Sequence, residues 1–193
     1  MKDLKSKYQN GKIPKEALSE VDSGHLLQKD ARNSFVRMKK DASNEGVDII
    51  LPYKTSGYRP CGEKGDYYER GCSDGFSQWC AWEKYKAGVG NLASNPTRSK
   101  GCSSNHGWGI AIDIKGSDAK SWVRNNGEKY GWWWGEAPSE DWHFTYDYKR
   151  DIFLEENRKA NKKSKGNWLL YTFIGISVIG FGVAFYFLTS PKK

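Results

Sequence analysis

A chain of 193 residues accommodates one ordinary domain with appendages, and with 37% hydrophobic residues and nine Trp it can bury a core, which excludes disorder throughout. The net charge of +8 does not mark a nucleic-acid reader. Residues 149–165 hold seven Lys or Arg against three acids (+4) and Lys192 and Lys193 add two more, which leaves residues 1–148 at only about +2, without any helix-turn-helix, zinc-finger or RNA-binding signature.

In chain order, residues 1–28 are mixed and polar, broken by Pro14, and lack the apolar core of a secretory signal. Ala31, Phe35, Met38 and Ala42 recur at helical spacing and predict a helix over 29–45, with Gly46 where it would stop. Residues 47–51 read as a short buried strand running into the turn-like TSGYRPCG. After a Gly-rich, Cys-bearing insertion, 76–87 predicts a second helix carrying Trp79, Trp82 and Tyr85. Alternation over 107–114 predicts a strand, 118–130 a helix and 142–148 another strand. This mixture, without a regular βαβ repeat, predicts an α+β fold: a small antiparallel sheet with flanking helices.

Residues 168–188 form an uncharged apolar run of 21 residues, which at about 1.5 Å per residue spans a bilayer core of about 30 Å. Trp168, Tyr171 and Tyr186 stand near its ends, where amphipathic rings favour the interface. The expected organisation is a domain over 1–148, a basic juxtamembrane linker over 149–167, a transmembrane helix over 168–188 and a short basic tail over 189–193. The membrane is thus one expected partner, through a single C-terminal anchor, and no protein partner is evident.

Cys61, Cys72, Cys80 and Cys102 fall within 42 residues and form no C-x-x-C pair. Two disulfides in an oxidising compartment are the natural reading, against the alternative of four buried thiols. Of the three possible pairings, proximity in sequence favours Cys61 with Cys72 and Cys80 with Cys102.

The chain has three histidines, His25, His106 and His143. His106 and Asp113 in SSNHGWGIAID, with His143 in SEDWHF, offer two imidazoles and a carboxylate, a set that suits catalytic zinc and leaves a fourth position for water. Zinc can lower the pKa of that water to about 7 and polarise the carbonyl it attacks. A hydrolase also needs a base not spent on the metal. Glu140 is favoured over its neighbour Asp141, because a turn after Pro138 would aim Glu140 and His143 into one cleft, whereas a straight strand would send them to opposite faces.

On these residues the sequence resembles the zinc D-alanyl-D-alanine carboxypeptidases and L-alanyl-D-glutamate endopeptidases of the VanY type, which include phage endolysins. The pattern S-x-H-x-x-G-x-A-x-D is matched by Ser104, His106, Gly109, Ala111 and Asp113; E-x-x-H with a preceding Trp by Glu140, Trp142 and His143; and S-x-Y-R by Ser56, Tyr58 and Arg59. The likeness covers about residues 10–148, including KIPKEAL and KAGVGNLA, and departs from the pattern in the Cys-bearing insertion and the C-terminal helix.

The resemblance implies zinc on His106, Asp113 and His143, with Glu140 as base and later acid, and hydrolysis of peptidoglycan stem peptides as a carboxypeptidase or an endopeptidase. It implies that Arg59 orients substrate, for which a planar guanidinium is suited, its alternative role being a salt bridge. Ser104 would bond the peptide or cap a turn, and Tyr58, Gln78 and Trp142 are further substrate-contact candidates. A phage origin and action on a host cell wall accord with the endolysin members. A contrasting reading is a non-catalytic, membrane-displayed zinc-fold module that binds cell-wall peptides, from which Glu140 discriminates.

Overall fold

The computed structural model describes residues 2–70, 72, 77–97 and 102–155. Five α-helices are described: α1 (Lys2–Lys7), α2 (Lys29–Asn44), α3 (Asp66–Arg70), α4 (Gln78–Lys86) and α5 (Ser117–Asn126). The strands are β1 (Ser19–Val21), β2 (His25–Leu27), β3 (Ala111–Asp113), β4 (Trp132–Trp133) and β5 (His143–Tyr146). β1 and β2 form a separate antiparallel hairpin, while the main sheet is antiparallel in the order β3-β5-β4. The α+β class therefore holds for the described residues.

α2 is the central support. Gln28 caps its N-terminus, its side-chain oxygen accepting from the amides of Asp30 (2.9 Å) and Ala31 (3.1 Å). At the other end Gly46 takes φ +78°, and the amide of Val47 returns to the Ala42 carbonyl at 2.9 Å. The buried face is Ala31, Ser34, Phe35, Met38 and Ala42, the apolar stripe that the sequence spacing predicts. It shares one core with Ile112, Phe144, Tyr146 and Trp132 of the sheet, and Phe35 meets Trp132 edge-on at 6.2 Å.

Residues 47–51 do not form the expected strand. Ile49 is buried, but pairing is limited to one bridge between Ile50 and Lys115, and Pro52, with no amide hydrogen to donate, follows directly. The strand expected over 107–114 is shortened to β3 because a 3-10 turn, Asn105–Trp108, precedes it. The helix expected over 118–130 stops at Asn126 and continues as a 3-10 turn, Gly127–Tyr130.

The compact unit extends to Phe153, beyond the expected boundary at 148. The reason is packing: Arg37 holds the buried Asp151 carboxylate at 2.9 Å, Tyr146 donates to it at 2.8 Å, and Phe153 stacks on Tyr130. The expected transmembrane helix at 168–188 lies outside the described residues; among the described residues no helix is long and apolar enough to cross a membrane. Cysteine pairing differs from the expectation: the disulfides are Cys61–Cys102 and Cys72–Cys80. Folding brings Cys102 beside Cys61, with Cα atoms 5.6 Å apart despite a separation of 41 residues, so sequence proximity misleads here.

Candidate active site

Three elements deliver His106, Asp113 and His143 to one point. Asp113 on β3 and His143 on β5 are register partners, so their side chains leave the same face of the sheet. His106 comes from the 3-10 turn before β3, which Ser104 caps, its hydroxyl accepting from the His106 amide at 3.3 Å. Gly109 ends that turn with φ +65°, and its carbonyl accepts from the Gln28 amide at 2.8 Å. A Cβ at Gly109 would stand 2.8 Å from the Gln28 nitrogen, so both conformation and close approach require glycine in this motif.

The donor atoms form a nearly equilateral triangle: His106 Nε2 to Asp113 Oδ1 3.1 Å, His106 Nε2 to His143 Nδ1 3.2 Å, and His143 Nδ1 to Asp113 Oδ1 3.1 Å. Four-coordinate zinc with bonds of about 2.0–2.1 Å has ligand atoms about 3.3 Å apart, so the triangle matches one face of its tetrahedron. The surroundings select the ligand tautomers. His106 Nδ1 lies 2.7 Å from the Gly57 carbonyl and must donate to it, which leaves Nε2 with its lone pair toward the triangle. His143 Nε2 faces the Thr145 hydroxyl at 3.4 Å, leaving Nδ1 for the metal. Arg59 Nη2 donates to Asp113 Oδ2 at 3.1 Å, so Oδ1 is the oxygen available. The donor set therefore fits one zinc ion.

Burial lowers the pKa of His106 below the ordinary histidine value, outweighing the upward pull of Asp113. For Asp113 burial acts upward, but His106, His143 and Arg59 together hold the carboxyl well below the usual carboxylate range. Glu140 is raised, chiefly by burial and further by Asp113, with His143 and Arg59 opposing. It stands in a turn where its amide donates to the Ala137 carbonyl (2.9 Å) and its carbonyl accepts from the His143 amide (3.1 Å). Asp141 instead faces α5, where Lys120 Nζ meets its Oδ2 at 2.5 Å.

A cleft of about 600 Å³ opens over these groups, lined by Arg59, His106, Asp113, Glu140, Trp142 and His143, with Ser104 also at its wall. Two expected substrate contacts are not brought to it. The Tyr58 hydroxyl turns toward the N-terminal segment and accepts from the Ile13 amide at 3.0 Å. Gln78 is 1% exposed and donates to the Ser94 carbonyl, so it braces the loop of the cleft wall from behind. Sequence reasoning missed Gly57 and Thr145. Thr145 had a readable signal, since it lies two residues after His143 on one strand and thus on the same face; Gly57 acts through a carbonyl, which residue identity does not reveal.

The α+β scaffold converges two imidazoles and one carboxylate, with a separate carboxylate in the same cleft, a three-donor set that fits one metal ion and leaves a fourth tetrahedral position unfilled by protein. Neither a protein-family model nor a characterised protein's sequence matches the chain. Among solved structures it is similar to VanY, the vancomycin-resistance D,D-pentapeptidase of the VanB-type cassette, in complex with Zn(II), at TM-score 0.45 and 19% identity over 69% of this chain and 82% of that one. It is also similar to the LdcB LD-carboxypeptidase, at TM-score 0.44 and 18% identity over 76% of each chain. A third is VanYB in complex with D-alanine-D-alanine, at TM-score 0.45 and 16% identity over 76% of this chain and 83% of that one.

Proposed function

We propose that the chain is a zinc-dependent peptidase acting on bacterial cell-wall stem peptides, either removing a terminal D-alanine or opening the peptide internally. The observation that carries this reading is the triangle of donor atoms 3.1–3.2 Å apart, beside a glutamate that shares the cleft without belonging to the triangle. His106 Nε2, Asp113 Oδ1 and His143 Nδ1 would hold the ion. Zinc supplies acidification of water to a pKa of about 7 and polarisation of the scissile carbonyl.

The remaining work falls to the protein. Glu140 takes a proton from the attacking water and passes it to the leaving amine, and its raised pKa suits the second transfer. Arg59, anchored on Asp113, presents its guanidinium to the cleft, where a planar fork can meet a peptide carboxylate or carbonyl. Ser104 and Trp142 border the peptide. In the intact chain residues 168–188 would tether this domain to a membrane.

Purified protein should contain one zinc per chain, lost in His106→Ala, Asp113→Ala and His143→Ala; full zinc in all three variants would overturn the site. Glu140→Gln should keep zinc while release of peptide fragments from purified peptidoglycan, weighed by mass spectrometry, falls at least about 100-fold. Near-normal turnover would remove Glu140 as the base, whereas absence of fragment release by the unaltered zinc-loaded protein would return the chain to a binding module.

A further inference from the structure

The Glu140–Asp141 peptide is held from outside the cleft by a set of contacts that metal binding does not require. Trp134 Nε1 donates to the Glu140 carbonyl at 3.2 Å. Arg124 lies over the Trp134 ring, with its guanidinium carbon 4.4 Å from the centroid, and its Nη2 donates to the Asp141 carbonyl at 3.2 Å. Lys120 Nζ holds the Asp141 carboxylate. Lys120 and Arg124 are four residues apart on α5, hence on one face of a helix whose Trp122 and Val123 are fixed in the core. The carbonyl of Glu140 also accepts from the His143 amide, so the peptide carrying the glutamate is pinned between β5 and α5.

We propose that Lys120, Arg124 and Trp134 form a positioning clamp that sets where the Glu140 carboxylate stands over the metal triangle. None of the three belongs to the triangle or lines the cleft. Trp134 and Arg124 hold the backbone carbonyls of Glu140 and Asp141 and Lys120 holds the Asp141 carboxylate, so they act on the direction of the Glu140 side chain. Arginine is suited because one planar group both stacks on an indole and donates in its own plane. A proton transfer requires heavy atoms within about 2.6–3.2 Å, so a small rotation of this peptide is enough to lengthen the path. The inference rests on the reading of Glu140 as the base.

The test uses the full-length zinc-loaded protein with Trp134→Phe, which keeps an aromatic ring but removes the N–H, Arg124→Ala, and Arg124→Lys as the conservative variant. Expected for Trp134→Phe and Arg124→Ala is a fall in kcat of about 10-fold with KM within about twofold and one zinc per chain retained. Because they hold adjoining peptide groups and stack on each other, the double variant should lose less than the product of the single losses. Arg124→Lys should recover only part of the loss. In a Glu140→Gln background the clamp substitutions should bring no further loss, since no base remains to be aimed.

Wild-type kcat in Trp134→Phe and Arg124→Ala would overturn the clamp while a slow Glu140→Gln still upheld the base. A fast Glu140→Gln would overturn the underlying reading itself. Loss of zinc in the clamp variants, or an equal loss in the Glu140→Gln background, would show that these residues merely support the fold around His143 and would also overturn the proposal.

Discussion

The three histidines show how surroundings decide a residue's role. His25 is buried at 6% exposure with Nδ1 2.6 Å from the Asp22 carbonyl and Nε2 2.8 Å from the Tyr53 carbonyl, so both nitrogens are occupied in joining the β1–β2 hairpin to the segment before Arg59. His106 has one nitrogen so occupied and one facing the triangle. Its lowered pKa has a consequence for the metal-free protein. When the folded pKa lies below the unfolded value of 6.5, the unfolded chain binds the proton first as pH falls. Stability is then lost from 6.5 downward until the folded pKa is passed. Asp113 works in the opposite sense in a separate window: its folded pKa is depressed, so its contribution is present above its unfolded value of 3.8 and is lost only as pH falls below that. Thermal unfolding of EDTA-treated protein should therefore give a lower Tm at about pH 5.5 than at about pH 7.5, and His106→Gln should reduce the difference. An undiminished difference in that variant would assign the effect elsewhere.

At the scale of elements, what could be read from sequence was what periodicity or motif spacing encodes. α2 was readable because its stripe has the helical period, and the meeting of Asp113 with His143 at one site was readable from the two motifs, although their register as strand partners was not. β1, β2 and the two-residue β4 were not read, because strands of two or three residues are too short to show an alternation. Residues 47–51 carried the composition of a strand without a second edge to pair with, and composition alone does not supply one. That the four cysteines form two disulfides was legible, but their pairing was not, being a product of tertiary contact. Cys61 follows Arg59 by two residues and Cys102 precedes Ser104 by two, so that bridge ties the arginine segment to the histidine turn. Loop-closure entropy gives about 4 kcal/mol for a separation of 41 residues and about 2.5 kcal/mol for one of 8. Paired Cys→Ser variants compared by denaturant unfolding should rank in that order, and the reverse order would show that native-state packing, not chain entropy, governs them. Non-reducing peptide mapping should recover Cys61 with Cys102.

At the scale of the molecule, the described unit holds its own core and all groups of the cleft, and it runs to Phe153. The described core and cleft are built from residues up to Phe153, so activity and an anchorage by the apolar run at 168–188 should separate. A chain cut after residue 155 should keep its zinc and digest peptidoglycan while remaining in the supernatant with lipid vesicles, whereas the full chain should sediment with them. If the proposed anchor at 168–188 holds, charge sets the side of the membrane on which the domain would first stand. Arg158, Lys159, Lys162, Lys163 and Lys165 precede the run and Lys192 and Lys193 follow it, and cytoplasmic flanks carry the excess of cations. The domain should accordingly begin on the cytoplasmic side. Its proposed substrate lies outside, and disulfides form in oxidising surroundings, so on this proposed topology exposure to the wall would come by release, lysis or delivery within a virus particle. Added protease should spare the domain in intact spheroplasts of producing cells and cut it once the membrane is breached. Cleavage before breaching would overturn the charge argument, and with it the requirement for a release step, while leaving the chemistry of the cleft untouched.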